Sequence, residues 1–128
     1  MEKTAVGLDL SGKLALITGS SRGLGKAMAL SLSSAGASIA LVARNEEKLR
    51  GVQKEIEDGG GKATLFLADV TSEADVLNLE SEVSSKLGRI SILINNAGTN
   101  IRKNLIDFTL DEWRSVLDSS LTSTFLMC

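Results

Sequence analysis

Apolar residues along this chain fall into two kinds of run that alternate. Short unbroken runs lie at Leu14–Ile17, following Lys13, and at Ser38–Ala43, Lys62–Ala68 and Arg89–Ile94, each with the length of a buried strand. Between them the apolar spacing changes to three and four. Leu24, Ala27, Met28, Leu32 and Ala35 predict a first helix that Gly36 ends, and Leu49, Val52 and Ile56 predict the inner face of a second. Asn45 is placed to cap that second helix, Glu46 and Glu47 fall in its first turn where the helix dipole favours carboxylates, and Gly59-Gly60-Gly61 closes it. Ser72 and Asp75 have capping-box spacing ahead of a stripe of Val76, Leu79, Val83 and Leu87. Thr109 and Glu112 repeat that signal before a long final helix, whose predicted inner face is Trp113, Val116, Leu117, Leu121, Thr124 and Phe125.

Strands alternating with helices imply a parallel sheet covered on both faces, because parallel neighbours need crossover connections. Right-handed crossovers give the order 3-2-1-4. The expected fold class is therefore α/β, a Rossmann-type doubly wound parallel sheet that stops after the fourth strand and the following long helix. Residues 1–12 read as an N-terminal arm, with Leu8 and Leu10 touching the domain, and residues 13–128 as one domain. A complete doubly wound sheet would cover the fourth strand and final helix. Ile92, Ile94, Trp113, Leu117, Leu121 and Phe125 should therefore have lost part of that cover, and self-association is expected.

The junction of the first strand and first helix carries the clearest chemistry. Thr18 is followed by Gly-Ser-Ser-Arg-Gly-Leu-Gly, a G-x-x-x-G-x-G spacing that lets the backbone approach a phosphate and aims the first helical N–H groups at it. Gly19 would make the turn, Gly23 would allow the approach and Gly25 would let helix and strand sit close. A nucleotide-hydrolysing P-loop does not fit: its first glycine would fall at Ser20, and Ala27 stands where Ser or Thr should follow Lys26.

Composition narrows the field. The net charge of −2 gives no electrostatic footprint for nucleic acid or an anionic membrane, and the absence of histidine removes histidine bases and histidine-ligated metals. One cysteine, Cys128, forms no disulfide within the chain, and no apolar run is long enough to cross a bilayer. A cytoplasmic setting is the default expectation.

In doubly wound dinucleotide sites an acid after the second strand binds the adenosine ribose hydroxyls, whereas a basic residue accepts a 2′-phosphate. Here Ala43 and Arg44 occupy that corner, and Arg22 projects from the glycine loop toward it. Paired guanidinium groups suit a phosphate, so NADP(H) is expected, with NAD(H) the weaker alternative. The competing reading of Arg44 is a solvated residue beside Glu46 and Glu47. Asp69, at the carboxyl end of the third strand, suits either an adenine amino group or an ordinary turn.

Taken together, Thr18–Gly25, Asp69-Val70 and Asn95-Asn96-Ala97-Gly98 resemble the classical short-chain dehydrogenase/reductase family, over essentially all 128 residues. The Asn95–Cys128 segment is similar to members acting on sugar acids such as gluconate and to 3-oxoacyl carrier-protein reductases. The resemblance implies that Ser20, Arg22, Gly23, Leu24 and Gly25 line the phosphates, that Asp69 and Val70 hold the adenine, and that Asn95, Ala97 and Gly98 support the cofactor ribose and central strand; with Gly19, Ser21 and Arg44 these complete the expected cofactor site. It also implies hydride transfer between nicotinamide and a carbonyl or secondary-alcohol substrate. The family's helix asparagine falls at Ser120, and its serine, tyrosine and lysine would lie beyond Cys128; the chain has no tyrosine. The reading is thus the cofactor-binding half of an NADP-dependent reductase. The alternatives are a non-catalytic dinucleotide-binding module, a pseudoenzyme, or the product of a shortened reading frame.

Overall fold

A computed structural model describes residues 7–128. Its regular elements are β1 (Leu14–Thr18), α1 (Gly23–Ser34), β2 (Ser38–Ala43), α2 (Glu46–Asp58), β3 (Lys62–Leu67), α3 (Glu73–Lys86) and β4 (Ile92–Ile94). A 3-10 turn at Leu105–Asp107 then leads to α4 (Leu110–Leu117), a wide π turn (Asp118–Thr122) and α5 (Ser123–Met127). The four strands pair in parallel in the order β3-β2-β1-β4, the expected doubly wound arrangement.

Strand periodicity divides the core into two layers. Ala15, Ile17, Ile39 and Leu41 point to the face covered by Ala29 of α1 and by Leu49, Val52 and Ile56 of α2. Leu14, Leu16, Ala40, Val42 and Phe66 point to the opposite face, onto Val76, Leu79 and Val83 of α3 and onto Leu126 and Met127. Removing a side chain of this size from water contributes about 1.5–3 kcal/mol, so the central strands anchor everything carried at their ends. Leu10 packs on the first layer and donates its backbone N–H to Ala35 O at 2.8 Å; Leu8 is exposed. The first six residues of the expected arm lie outside the described chain.

Three helices start as predicted. Asn45 Oδ1 accepts from Lys48 N, and Thr109 with Glu112 completes a reciprocal capping box. Ser72 accepts from Asp75 N, but the Asp75 carboxylate takes the N–H of Asp69 at 2.8 Å, so only half of that box forms.

The helix faces need two corrections. On α1, Leu24 and Ala27 are exposed, while Gly25 and Ala29 are buried. The contact phase is set by Gly25, which must meet the β1 turn, and not by the bulkier residues. On the last helical segment the predicted inner stripe is largely outside: Trp113, Leu117, Leu121 and Phe125 are exposed, Phe125 at 78%. Ser123, Leu126 and Met127 face inward instead.

The expected continuous helix also widens at Asp118–Thr122. Hydroxyls there compete for backbone carbonyls: Ser123 Oγ donates to Ser119 O at 2.6 Å and Thr124 Oγ1 to Ser120 O at 3.3 Å. Such back-bonding distorts helices. β3 and β4 are shorter than their apolar runs, β4 pairing only through Ile92–Ile94.

Candidate dinucleotide site

The carboxyl ends of β1, β2 and β3 open on one cleft of about 970 Å³. Gly19 takes φ +63° at the end of β1, and Gly23 takes φ +57° as α1 begins. Gly25 sits against the loop: a Cβ there would collide with the Gly19 carbonyl oxygen and lie 2.5 Å from Asn96 Nδ2. Gly19 thus makes the turn and Gly25 lets helix and strand sit close, as the spacing suggests. Ser21, Arg22, Gly23 and Leu24 form the cleft wall beside them.

The start of α1 differs from those of α2, α3 and α4. Arg22 holds the capping position with no side-chain cap, and no acid lies in the first turn. By contrast α2, α3 and α4 are capped by Asn45, Ser72 and Thr109 and carry acids in their first turns. An uncapped helix end retains N–H donors and positive dipole for an anion.

Ser20 does different work. Its side chain is fully buried, accepts from Val42 N at 3.0 Å and ties the loop to the end of β2. The Asn-Asn pair also divides its tasks. Asn96 Nδ2 donates to the Thr18 and Gly19 carbonyls, and Thr18 Oγ1 accepts from Asn96 N and Ala97 N, both at 3.0 Å. Asn95 instead turns its amide to Cys128 Sγ at 3.5 Å and does not line the cleft. Strand parity holds the missed signal: Asn96 continues the side occupied by Ile92 and Ile94, which faces α1, whereas Asn95 continues the Leu93 side.

Ala97 and Gly98 line the cleft, with Thr99 beyond them. Ser120 does not line it; it lies behind Gly98, where an added Cβ would be 3.3 Å from its Oγ. Ser119 does line it, and its Oγ is 2.7 Å from Thr99 Oγ1. The facing wall formed by Asp111, Arg114, Ser115 and Asp118 was not foreseen, because the expected inner face of that helix was apolar.

At the other end Arg44, Asn45 and Lys48 join Asp69, Val70 and Thr71. Glu46 pairs with Arg50 at 2.6 Å, so this carboxylate is engaged away from Arg44. Asp69 Oδ1 accepts from Thr71 Oγ1 at 2.6 Å and Thr71 N at 3.0 Å. These bonds, helped by the Arg44 charge and opposed by partial burial, hold the Asp69 carboxyl below the ordinary aspartate value of 3.8. A depressed folded pKa stabilises the fold above the unfolded value, and that contribution disappears as pH falls through the folded one. Asp69→Asn should therefore lose less melting temperature than the wild type between about pH 6 and pH 3. Parallel acid slopes for the two proteins would contradict this role.

The described residues therefore fit a dinucleotide: a tight glycine turn, an uncapped helix end, a long cleft at the strand termini, and cations at its far end. The short chain dehydrogenase family model matches residues 13–128. Gluconate 5-dehydrogenase of Gluconobacter oxydans is 36% identical over 119 residues, which cover 93% of this chain and 46% of that enzyme. A short-chain type dehydrogenase/reductase from Mycobacterium marinum superposes with a TM-score of 0.91 at 40% identity, covering 94% of this chain and 47% of that one. A metagenomic short-chain oxidoreductase crystallised in complex with NADP gives 0.88 at 36% identity, with 92% and 54% covered. The chain thus spans about half the length of the relatives it matches. On its fold, its glycine loop and this match along nearly its whole length, the chain belongs to the classical short-chain dehydrogenase/reductase family.

Proposed function

We propose that these 128 residues are the NADP(H)-binding half of a reductase that moves hydride between nicotinamide and a carbonyl or secondary alcohol. The observation that carries the reading is that Arg22, from the glycine loop, and Arg44, after β2, both line the cleft with no ion-pair partner among the described residues. In this reading Ser21, Gly23 and Leu24 flank the pyrophosphate, and Asp69 with Val70 borders the adenine. Ala97 and Gly98 support the ribose, and Ser20, Gly25 and Asn96 hold the loop in shape. Bound cofactor would supply the hydride. The chain has no tyrosine to donate a proton to the developing alkoxide, a contribution of typically about 10²- to 10⁴-fold.

The test is a fluorescence titration of the purified chain with NADPH and NADH, paired with a turnover assay on keto acids, keto sugars and 3-oxoacyl thioesters. NADPH should bind more tightly than NADH, with no sustained oxidation. Equal affinities would remove the 2′-phosphate reading, and sustained turnover would show that the chain supplies its own proton donor.

The exposed stripe of Trp113, Leu117, Leu121 and Phe125 supports association with a second copy or with further chain of the same protein. Light scattering should show species larger than a monomer, or strong binding of a hydrophobic dye. Replacing Leu121 and Phe125 by Ser and Gln should reduce either signal; a wild-type monomer that binds no dye would contradict the expectation.

A further inference from the structure

We propose that Lys48 is a third cation of the 2′-phosphate corner and sets how strongly the site discriminates between NADPH and NADH. The inference rests on the NADP(H) reading and extends it to a residue outside both sequence motifs.

Several cations of the described surface are engaged in ion pairs. Lys26 meets Glu55 at 2.7 Å, Arg50 meets Glu46 at 2.6 Å, and Lys103 meets Glu112 at 2.6 Å. Lys48 has no such partner among the described residues, and it lines the cleft together with Arg22 and Arg44. These three cations come from three different segments: the glycine loop, the residue after β2 and the first turn of α2. The Arg50–Glu46 pair engages one of the two acids in the first turn of α2, and the other, Glu47, does not line the cleft.

Local geometry holds Lys48 in place. Asn45 Oδ1 accepts its backbone N–H at 3.0 Å, which fixes the residue one turn beyond Arg44 at the start of the helix. The cap therefore acts on the corner as well as on the helix. The other acid at this end, Asp69, has Oδ1 committed to Thr71. A lysine ammonium is a flexible point charge with three donors, so it adds attraction for a phosphate without the geometric demand of a guanidinium fork. Both guanidinium groups can then keep their planar contacts while Lys48 offsets the remaining negative charge of the phosphate.

The test is titration of the wild type, Lys48→Gln, Lys48→Arg and Lys54→Gln with NADPH, NADH and 2′,5′-ADP, with circular dichroism confirming the fold of each. Lys54 removes the same charge from α2 but lies outside the cleft. Lys48→Gln should weaken NADPH and 2′,5′-ADP by about threefold to tenfold and leave NADH unchanged, in keeping with one partly screened ion pair. Lys48→Arg should retain the wild-type preference, and Lys54→Gln should leave all three ligands unaffected. If the wild type prefers NADPH and Lys48→Gln keeps that preference in full, Lys48 has no part in the corner. Equal loss of NADPH and NADH in Lys48→Gln would assign it to the common part of the cofactor and overturn the discriminating role. A wild type with no NADPH preference would overturn the parent reading and this inference together.

Discussion

Arg44→Asp is expected to invert the cofactor preference, weakening NADPH binding by about 100-fold while leaving NADH binding equal or improved. A charge-assisted hydrogen bond to phosphate contributes about 1.5–3 kcal/mol, a factor of roughly ten to 150 in affinity. The substituted carboxylate would add repulsion toward the 2′-phosphate and could accept hydrogen bonds from the ribose hydroxyls of NADH. The structure makes this more than a surface-charge change: Arg44 lines the cleft, acts on the Asp69 carboxyl and leaves Glu46 to Arg50. Isothermal titration of both cofactors against both proteins measures it. A variant that loses NADPH and NADH in equal proportion would place Arg44 on the pyrophosphate, or on the fold, and not on the 2′-phosphate.

Gly25→Ala should cost about 3 kcal/mol of stability and abolish measurable cofactor binding, a large effect for one methyl group. The added Cβ would collide with the Gly19 carbonyl oxygen and lie 2.9 Å from the Gly19 carbonyl carbon and 2.5 Å from Asn96 Nδ2. Two of those three atoms are backbone, and the third belongs to a side chain bonded to the Thr18 and Gly19 carbonyls. No flexible tip is available to move aside. Relief would require α1 to shift from β1, opening the turn that positions its first N–H groups. Gly51→Ala is the contrasting substitution, because a Cβ on this exposed α2 residue meets nothing within 4 Å. It should stabilise the protein by about 0.5–1 kcal/mol through helix propensity and reduced unfolded-chain entropy. Chemical denaturation of the pair separates packing at the loop from the general effect of replacing glycine. Similar behaviour of the two variants would mean that the loop tolerates the methyl group.

The strand order, the covering of both sheet faces and the starts of α2, α3 and α4 were legible in the sequence, because they depend on local periodicity and capping chemistry. Ile39, Leu41, Leu49, Val52 and Ile56 form the layer that their spacing suggests. The glycine loop was legible for a similar reason, since Gly19 and Gly25 are there to satisfy conformation and contact rather than burial of apolar area.

Features that depend on a partner element were less visible. Nothing in the spacing of Leu24 and Ala27 shows that Gly25 sets the contact phase of α1, or that hydroxyl back-bonding widens the last helix and turns Ser123 inward. Trp113, Leu117, Leu121 and Phe125 have the periodicity of a buried face, yet no other described element covers them. Periodicity reports that a face is apolar, not what it meets. The polar cleft wall from Asp111 to Ser119 was missed through the same assumption. Lys48 has no sequence signature at all; it reaches the site because Asn45 fixes where α2 begins.

The location of the cofactor tests the central claim most directly, through nitrogen-15 amide shifts of the chain titrated with NADP⁺. The account predicts perturbations concentrated at Gly19–Gly25, Arg44, Lys48, Asp69–Thr71 and Asn96–Thr99, with the Arg44 and Lys48 changes much smaller when NAD⁺ replaces NADP⁺. No saturable shifts in these segments, or shifts confined to the exposed Trp113–Phe125 stripe, would contradict it.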